Sequence, residues 1–301
     1  MANNAVKVLI PLDGSKLAEH SLAYVAALRP LGLTELELVS VIDPVAVPVR
    51  RAHEDEDREH NLLATYLEKL AEDVKTQTTT EVRTRILTGP APEAILQEAE
   101  AYQPNYLVVS THGSSGLSRW RFGSVADKVI RGASCPTLVV GPIAAERESW
   151  LEARIMPVFK SILVPLDGSE LAEEALSEAQ RFGEAFGAAI HVVTAVAVNV
   201  VGPAEAWAGI SAQLLDGFVA DARRYLESVK ANRPGLAGAS FEVRMGGAAE
   251  VLSDYVAENN IDLVIMTSHG RGGFLRTALG STTDRLLGGA APVLIVRSHS
   301  E

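Results

Sequence analysis

A single cysteine, Cys135, is found among the 301 residues. An intramolecular disulfide is therefore excluded, and a redox role lacks the second thiol that a resolving step needs. Cys135 precedes Pro136 at the head of an apolar run and reads as a small core residue. Clusters of cations are missing as well. Twenty-seven Lys and Arg stand against 38 Asp and Glu, a formal net charge of −11. Such a chain offers no basic surface to nucleic-acid phosphates. A local phosphate pocket stays open, because a few amides and one Arg suffice for it. No apolar run is long and clean enough to span a membrane. The longest uncharged stretch, Ala185 to Ala204, is interrupted by Gly187, His191, Thr194, Asn199, Gly202 and Pro203, and reads as a helix end, a strand and a loop. The first residues show neither a charged n-region nor an apolar signal segment. The expectation is a soluble, cytoplasmic protein. Two nucleotide signatures are absent too. There is no GxxxxGK[ST], against a P-loop NTPase, and no GxGxxG after the first strand, against dinucleotide binding.

What the sequence does hold is a repeat. Tyr106 to Gly113 (YLVVSTHG) is followed by nine residues and then by Gly123 and Ser124. Leu263 to Gly270 (LVIMTSHG) is followed by nine residues and then by Gly280 and Ser281. Both landmarks, Gly113 to Gly270 and Gly123 to Gly280, recur at an interval of 157. The strand openings repeat too: KVLIPLDGS over Lys7 to Ser15 and SILVPLDGS over Ser161 to Ser169, with Asp13 and Asp167 separated by 154. Intervals that differ by a few residues are what loop insertions in duplicated domains produce. Two domains are therefore expected, 1–142 and 158–301, joined by a linker over 143–157 that includes a short surface helix. Each half is long enough to bury a core without disulfide or metal.

Within each half, β-branched apolar runs alternate with amphipathic stretches. The first half reads as strands over 6–12, 35–42, 81–87, 105–110 and 137–140, with helices after Ser15, after His53 and over 93–101. The second reads as strands over 162–166, 190–196, 240–245, 262–267 and 293–297, with helices from Glu170, from about Glu205 and over 249–258. Alternation of this kind implies α/β domains, each an open five-stranded parallel sheet with helices on both faces. Ligands of such sheets bind beyond the carboxyl ends of the strands, where strand order reverses. The polar, glycine-bearing ends follow strands one and four. One shared pocket requires those strands to be neighbours, which favours the order 3-2-1-4-5 over 2-1-3-4-5.

The chemistry divides accordingly. A glycine-bearing turn ahead of a helix presents free N–H groups to an anion. Gly113, Gly123, Gly270 and Gly280 let backbone approach phosphate oxygens. Ser124 and Ser281 add a hydroxyl and an N–H at the helix start, and Arg119 and Arg276 can balance phosphate charge. Asp13 and Asp167, acceptors when ionised, suit a base amino group or a ribose hydroxyl. They also suit the turn that opens a helix, and the two roles coexist. Strand-end carbonyls near Val41 and Val196 can read an adenine edge.

With these residues in view, the chain resembles a tandem universal stress protein, the resemblance covering nearly its whole length. ATP-binding members of that family carry Gly-x-x-Gly, nine residues, then Gly-Ser/Thr after the fourth strand, and an Asp after the first. The match falls on Asp13, Gly113, Gly123 and Ser124, and on Asp167, Gly270, Gly280 and Ser281. Ser110 and Thr267 depart from the pattern, standing where it has its first glycine. The resemblance implies ATP as ligand, its adenosine near the Asp and its triphosphate on the glycine loop; whether Mg²⁺ accompanies the phosphates stays open. Together with the reading of the residues, it gives as candidate cofactor contacts Pro11, Asp13, Val41, Ser110, His112, Gly113, Arg119, Gly123, Ser124 and Val125. In the second half the contacts are Pro165, Asp167, Val196, Thr267, His269, Gly270, Arg276, Gly280, Ser281 and Thr282. Partners implied are the adenine nucleotide and a pseudo-dimer of the two domains through their fifth strands; a homodimer of chains stays open.

The function expected is that of a nucleotide-binding stress sensor or regulator rather than an enzyme. Two alternatives stay open: an interaction module that has lost ATP binding, for which Ser110 and Thr267 argue, and a slow ATPase. No nucleophile or carboxylate is spaced to pair with His112 or His269, so these read as loop-fixing residues. His53 and His60 flank an acidic run and read as a solvated helix face rather than a metal site. Trp120 and Phe274 read as loop anchors. The two pockets can differ, since Arg271, Gly272 and Gly273 occur only in the second loop.

Overall fold

The computed structural model describes residues 5–43, 53–77, 80–111, 123–146, 157–197, 212–267 and 280–297. Two compact units divide the chain, Met1–Val158 and Phe159–Glu301. The first holds strands β1 (Val6–Pro11), β2 (Leu33–Ile42), β3 (Glu81–Thr88), β4 (Tyr106–Ser110) and β5 (Thr137–Val140). Its helices are α1 (Lys16–Ala27), α2 (His53–Gln77), α3 (Ala91–Tyr102), α4 (Ser124–Gly132) and α5 (Pro142–Glu146). The second holds β6 (Ser161–Pro165), β7 (Ala189–Val196), β8 (Ser240–Met245), β9 (Leu263–Thr267) and β10 (Val293–Val296). Its helices are α6 (Glu170–Glu173), α7 (Ala175–Phe186), α8 (Ala212–Asn232), α9 (Ala248–Glu258) and α10 (Ser281–Leu287).

Strand order in the first unit is β3-β2-β1-β4-β5, and in the second β8-β7-β6-β9-β10. Both are the expected 3-2-1-4-5, and all the pairings are parallel. Val8 pairs with Tyr106 and Ile162 with Leu263, so the first and fourth strands are neighbours in each unit. Central strands such as β1 and β6 are apolar toward both faces, as a sheet covered on both sides requires. The outermost strands β3 and β8 are more exposed and carry Glu81, Arg83, Arg85, Glu242 and Arg244, charges that suit an edge. In β7, His191 meets Tyr255 of α9, while Thr194, an odd number of residues on, points to the opposite face. Among the described residues no helix is long and apolar enough to cross a membrane.

α5 opens the stretch in which the sequence suggests a surface helix, most of which, 147–156, lies outside the described residues. Ala144 and Ala145 are fully buried, and the Tyr24 hydroxyl of α1 donates to the Ala144 carbonyl at 2.8 Å. Ile143 is exposed. In α7 and the segment before β6, Phe159, Phe182 and Phe186 form one aromatic cluster, with ring centroids 5.2–6.1 Å apart.

A polar cluster interrupts the core of each unit at the same place. In the first, Glu37 of β2 is 5% exposed and Glu98 of α3 6% exposed. Arg85 donates to Glu98 Oε1 at 2.7 Å, while Glu37 Oε2 makes no hydrogen bond. In the second, His191, Tyr255 and Glu242 stand at the corresponding positions. Tyr255 donates to Glu242 at 2.8 Å, and its oxygen lies 3.0 Å from His191 Nδ1. Burial raises the pKa of Glu37, with the Glu98 charge adding to it. The folded unit thus holds this proton more tightly than the unfolded chain. The stability so gained is present below the ordinary carboxylate range and is lost as pH rises through the folded-state value. Glu37→Gln should therefore stabilise the chain by about 1 kcal/mol at about pH 8 and by little at about pH 4. Urea melts at the two pH values check this, and an equal effect at both would refute it.

Candidate functional site

The local sequence Asp-Gly-Ser builds the floor of the site in both units. β1 ends at Pro11 and β6 at Pro165. Gly14 and Gly168 then adopt φ of +77° and +84°, a left-handed conformation that a Cβ would strain. This reversal folds the aspartate over its own turn. Asp13 Oδ1 accepts the Ser15 N–H at 3.0 Å, and Asp167 Oδ1 accepts the Ser169 N–H at 3.0 Å and the Ser169 hydroxyl at 2.6 Å. Ser15 and Ser169 in turn cap α1 and α6, accepting from Ala18 N and Ala172 N at 3.2 Å. The turn role foreseen for the aspartates is thus observed, and it fixes where each carboxylate stands.

Above Asp167 lies a cavity of about 360 Å³, within the usual range for small-molecule sites. It is walled by Asp167 and Gly168, by the end of β7 from Thr194 to Ala197, and by Phe218, Asp221, Ala222 and Tyr225 of α8. The Tyr225 hydroxyl donates to Glu173 at 3.1 Å, fixing the phenol at the wall. Asp221 is paired with Arg224 of the same helix. Asp167 and Asp221 are thus the ionisable carboxylates lining this cavity, and its described walls hold no cation. Such walls suit hydrogen-bond donors and rings, not phosphate. The corresponding tyrosine of the first unit, Tyr66, has a buried hydroxyl without a hydrogen-bond partner. Burial, followed by the nearby Glu19 and Asp13 carboxylates, pushes its pKa up.

The strand-end carbonyls near Val41 and Val196, expected to read an adenine edge, do not stand at equivalent positions. Leu12 N donates to Val39 O and Leu166 N to Val193 O, which sets Val41 against Ala195 and Ile42 against Val196. The Val196 carbonyl already accepts the Gly246 N–H at 3.0 Å, as the Ile42 carbonyl accepts that of Gly89. Val196 still lines the cavity. Gly123, expected to offer a bare amide, donates it to the Thr111 carbonyl at 2.8 Å. The helix-start amides of α4 that follow it belong to Ser124, Val125 and Ala126, and no side chain caps them at Gly123. In the second unit Gly280 is likewise the N-cap, ahead of Ser281 and Thr282, with no side-chain cap. Its φ of −63° is open to any residue. A Cβ there would meet only Thr283 Oγ1, at 4.0 Å. Neither backbone conformation nor packing among the described residues calls for this glycine.

Ser110 ends β4 opposite Val140, and Thr267 ends β9 opposite Val296. Thr267 is 6% exposed and is not among the cavity walls. His112, Gly113, Arg119 and Trp120 lie outside the described residues, as do His269, Gly270, Arg271, Gly272, Gly273, Phe274 and Arg276. His60 is exposed on α2, and among the described residues no group of three or more His, Cys, Asp or Glu is placed to hold a metal. What sequence reasoning missed is the helical wall. Tyr66 and Tyr225 are each followed by a buried leucine, Leu67 and Leu226, and that repeated Tyr-Leu pair was the available signal.

The chain matches the universal stress protein family over residues 6–141 and again over 159–297. A universal stress protein of Mycobacterium tuberculosis is 24% identical over 315 aligned residues, which span 96% of this chain and 96% of that protein. One from Methanocaldococcus jannaschii is 31% identical over 143 residues, 44% of this chain and 81% of its own length. Among solved structures, a universal stress protein from Archaeoglobus fulgidus superposes with a TM-score of 0.70 at 18% identity, covering 97% of this chain and 96% of its own. The last comparison speaks to the fold.

Proposed function

Because the chain belongs to the universal stress protein family, with two such domains in tandem, we propose that it binds an adenine nucleotide, ATP, as a cytoplasmic stress sensor or regulator and not as fuel. Nucleotide binding is typical of the family. The observation that carries the reading for this chain is the cavity beside Asp167, at the ends of the first and second strands of its sheet. Its rings, hydroxyl and carboxylates suit a base and a ribose. Asp167 accepts from the sugar or the base, and Asp13 stands at the equivalent strand end of the first unit. Pro11 and Pro165 end the strands that hold them. Phosphates extend toward the starts of the helices after the fourth strands. There Ser124 and Val125, and Ser281 and Thr282, follow Gly123 and Gly280. His112, Gly113, Arg119, His269, Gly270 and Arg276 complete this end on sequence grounds. Mg²⁺ is expected to travel with the phosphates. No residue is assigned a general-base role, so hydrolysis is not part of the proposal.

Ligand at one hundred times its dissociation constant stabilises a protein by about 2.7 kcal/mol. For units of this size the melting temperature should rise by about 5–10 °C. Differential scanning fluorimetry with millimolar MgATP measures this directly. No shift, together with no nucleotide released on heating the purified protein, would rule the proposal out.

A further inference from the structure

Resting on that nucleotide reading, we infer that the chain binds one nucleotide, not two, because alanines in the second unit keep open a base slot whose counterpart in the first unit carries larger side chains. The slot is the cavity of about 360 Å³ above Asp167. Three of its wall positions are alanines: Ala195 and Ala197 at the end of β7, and Ala222 on α8. Registers within each unit identify the matching positions. The bonds from Leu12 N to Val39 O and from Leu166 N to Val193 O align β2 with β7. Ala195 then corresponds to Val41, and Ala197 to Asp43.

The helices align through their tyrosines. Tyr66 lies by Asp13 and Glu19, and Tyr225 lies by Asp167 and Glu173. Leu67 and Leu70 are buried after the first, Leu226 and Val229 after the second, at the same spacings. Ala222 therefore corresponds to Leu63, one turn before the tyrosine on the same face. A cavity near the lower end of the ligand range has little volume to lose, and the first unit has Val, Asp and Leu at all three places.

A fourth difference concerns affinity. Phe218, 45% exposed, stands at the wall of the slot. Its counterpart by the same alignment is Glu59. An exposed aromatic face stacks a nucleobase irrespective of its hydrogen-bonding edge, whereas a carboxylate supplies no such face and opposes the phosphates. The second unit thus combines space and a stacking surface, and the first unit lacks both features of sequence.

Isothermal titration calorimetry of the full chain with MgATP tests the inference. The parent should bind one nucleotide per chain. Ala222→Leu and Ala195→Val, each copying the first unit into the second, should weaken that binding at least tenfold. Leu63→Ala should leave the one site unchanged. Far-ultraviolet circular dichroism and melting temperature show whether each variant is folded, and two separate wall variants guard against the failure of one. Two sites of similar affinity in the parent would overturn this inference while leaving the nucleotide reading intact. One site that survives in both folded wall variants would also overturn it. Absence of any binding by the parent would overturn the nucleotide reading, and this inference with it.

Discussion

Alanine at Asp167 is expected to weaken nucleotide binding about 10–150-fold, since a hydrogen bond to a charged group contributes about 1.5–3 kcal/mol and each 1.4 kcal/mol is tenfold. Two causes act together. The ligand loses a charged acceptor at the floor of its cavity, and the turn that shapes the floor loses its internal bonds. Asp167 Oδ1 holds both the N–H and the hydroxyl of Ser169. Asp167→Asn separates the two, because its amide oxygen can still accept the Ser169 N–H while the negative charge is gone. An asparagine variant that is as stable as the parent yet binds more weakly would assign the loss to the ligand contact. Calorimetric titration of both variants gives the answer, and undiminished binding by the alanine variant would remove Asp167 from the site.

Phe182→Ala should cost the second unit about 3–5 kcal/mol, the usual range for emptying a buried aromatic position. Phe182 is fully buried and touches Phe159 and Phe186 at ring-centroid distances of 6.1 and 5.5 Å. Phe159 opens the second unit just before β6, so the cluster ties the entry of the chain to α7. Hydrogen exchange should accelerate in β6 and β7 and remain unchanged in β1 and β2. Phe182→Leu, which preserves most of the volume, should cost well under half as much. Equal exchange in parent and alanine variant would show that the cluster contributes nothing.

The strand order was legible because the polar residues sit where the chain leaves the sheet. Asp13 and Asp167, with the glycines after β4 and β9, mark strand ends that must share one pocket, and that requirement fixed strands one and four as neighbours. The aspartate turn was legible for a similar reason: Asp-Gly-Ser is a local signal, and each of its bonds spans two or three residues. Longer-range features escaped. A strand's periodicity gives its two faces but not its alignment with a counterpart elsewhere in the chain, so the equivalence of Val41 with Ala195 rests on the backbone bonds of the fold. The amide of Gly123 was counted as available because the Thr111 carbonyl that takes it belongs to the other end of the connecting loop. The burial of α5 was not legible because alanines carry no strong apolar signal, yet small side chains are what allow Ala144 and Ala145 to press against α1. The α8 wall was not legible because Phe218 is exposed and Tyr225 half-buried, off the stripe that Leu226 and Val229 bury in the core.

The clamped carboxylate at Asp167 has a kinetic corollary. A group already held by Ser169 before any guest arrives surrenders little rotational freedom on contact, so recognition at this end needs no rearrangement. Arrival rates should then be nearly indifferent to changes around the aspartate, and weaker variants should differ from the parent chiefly in how soon the nucleotide departs.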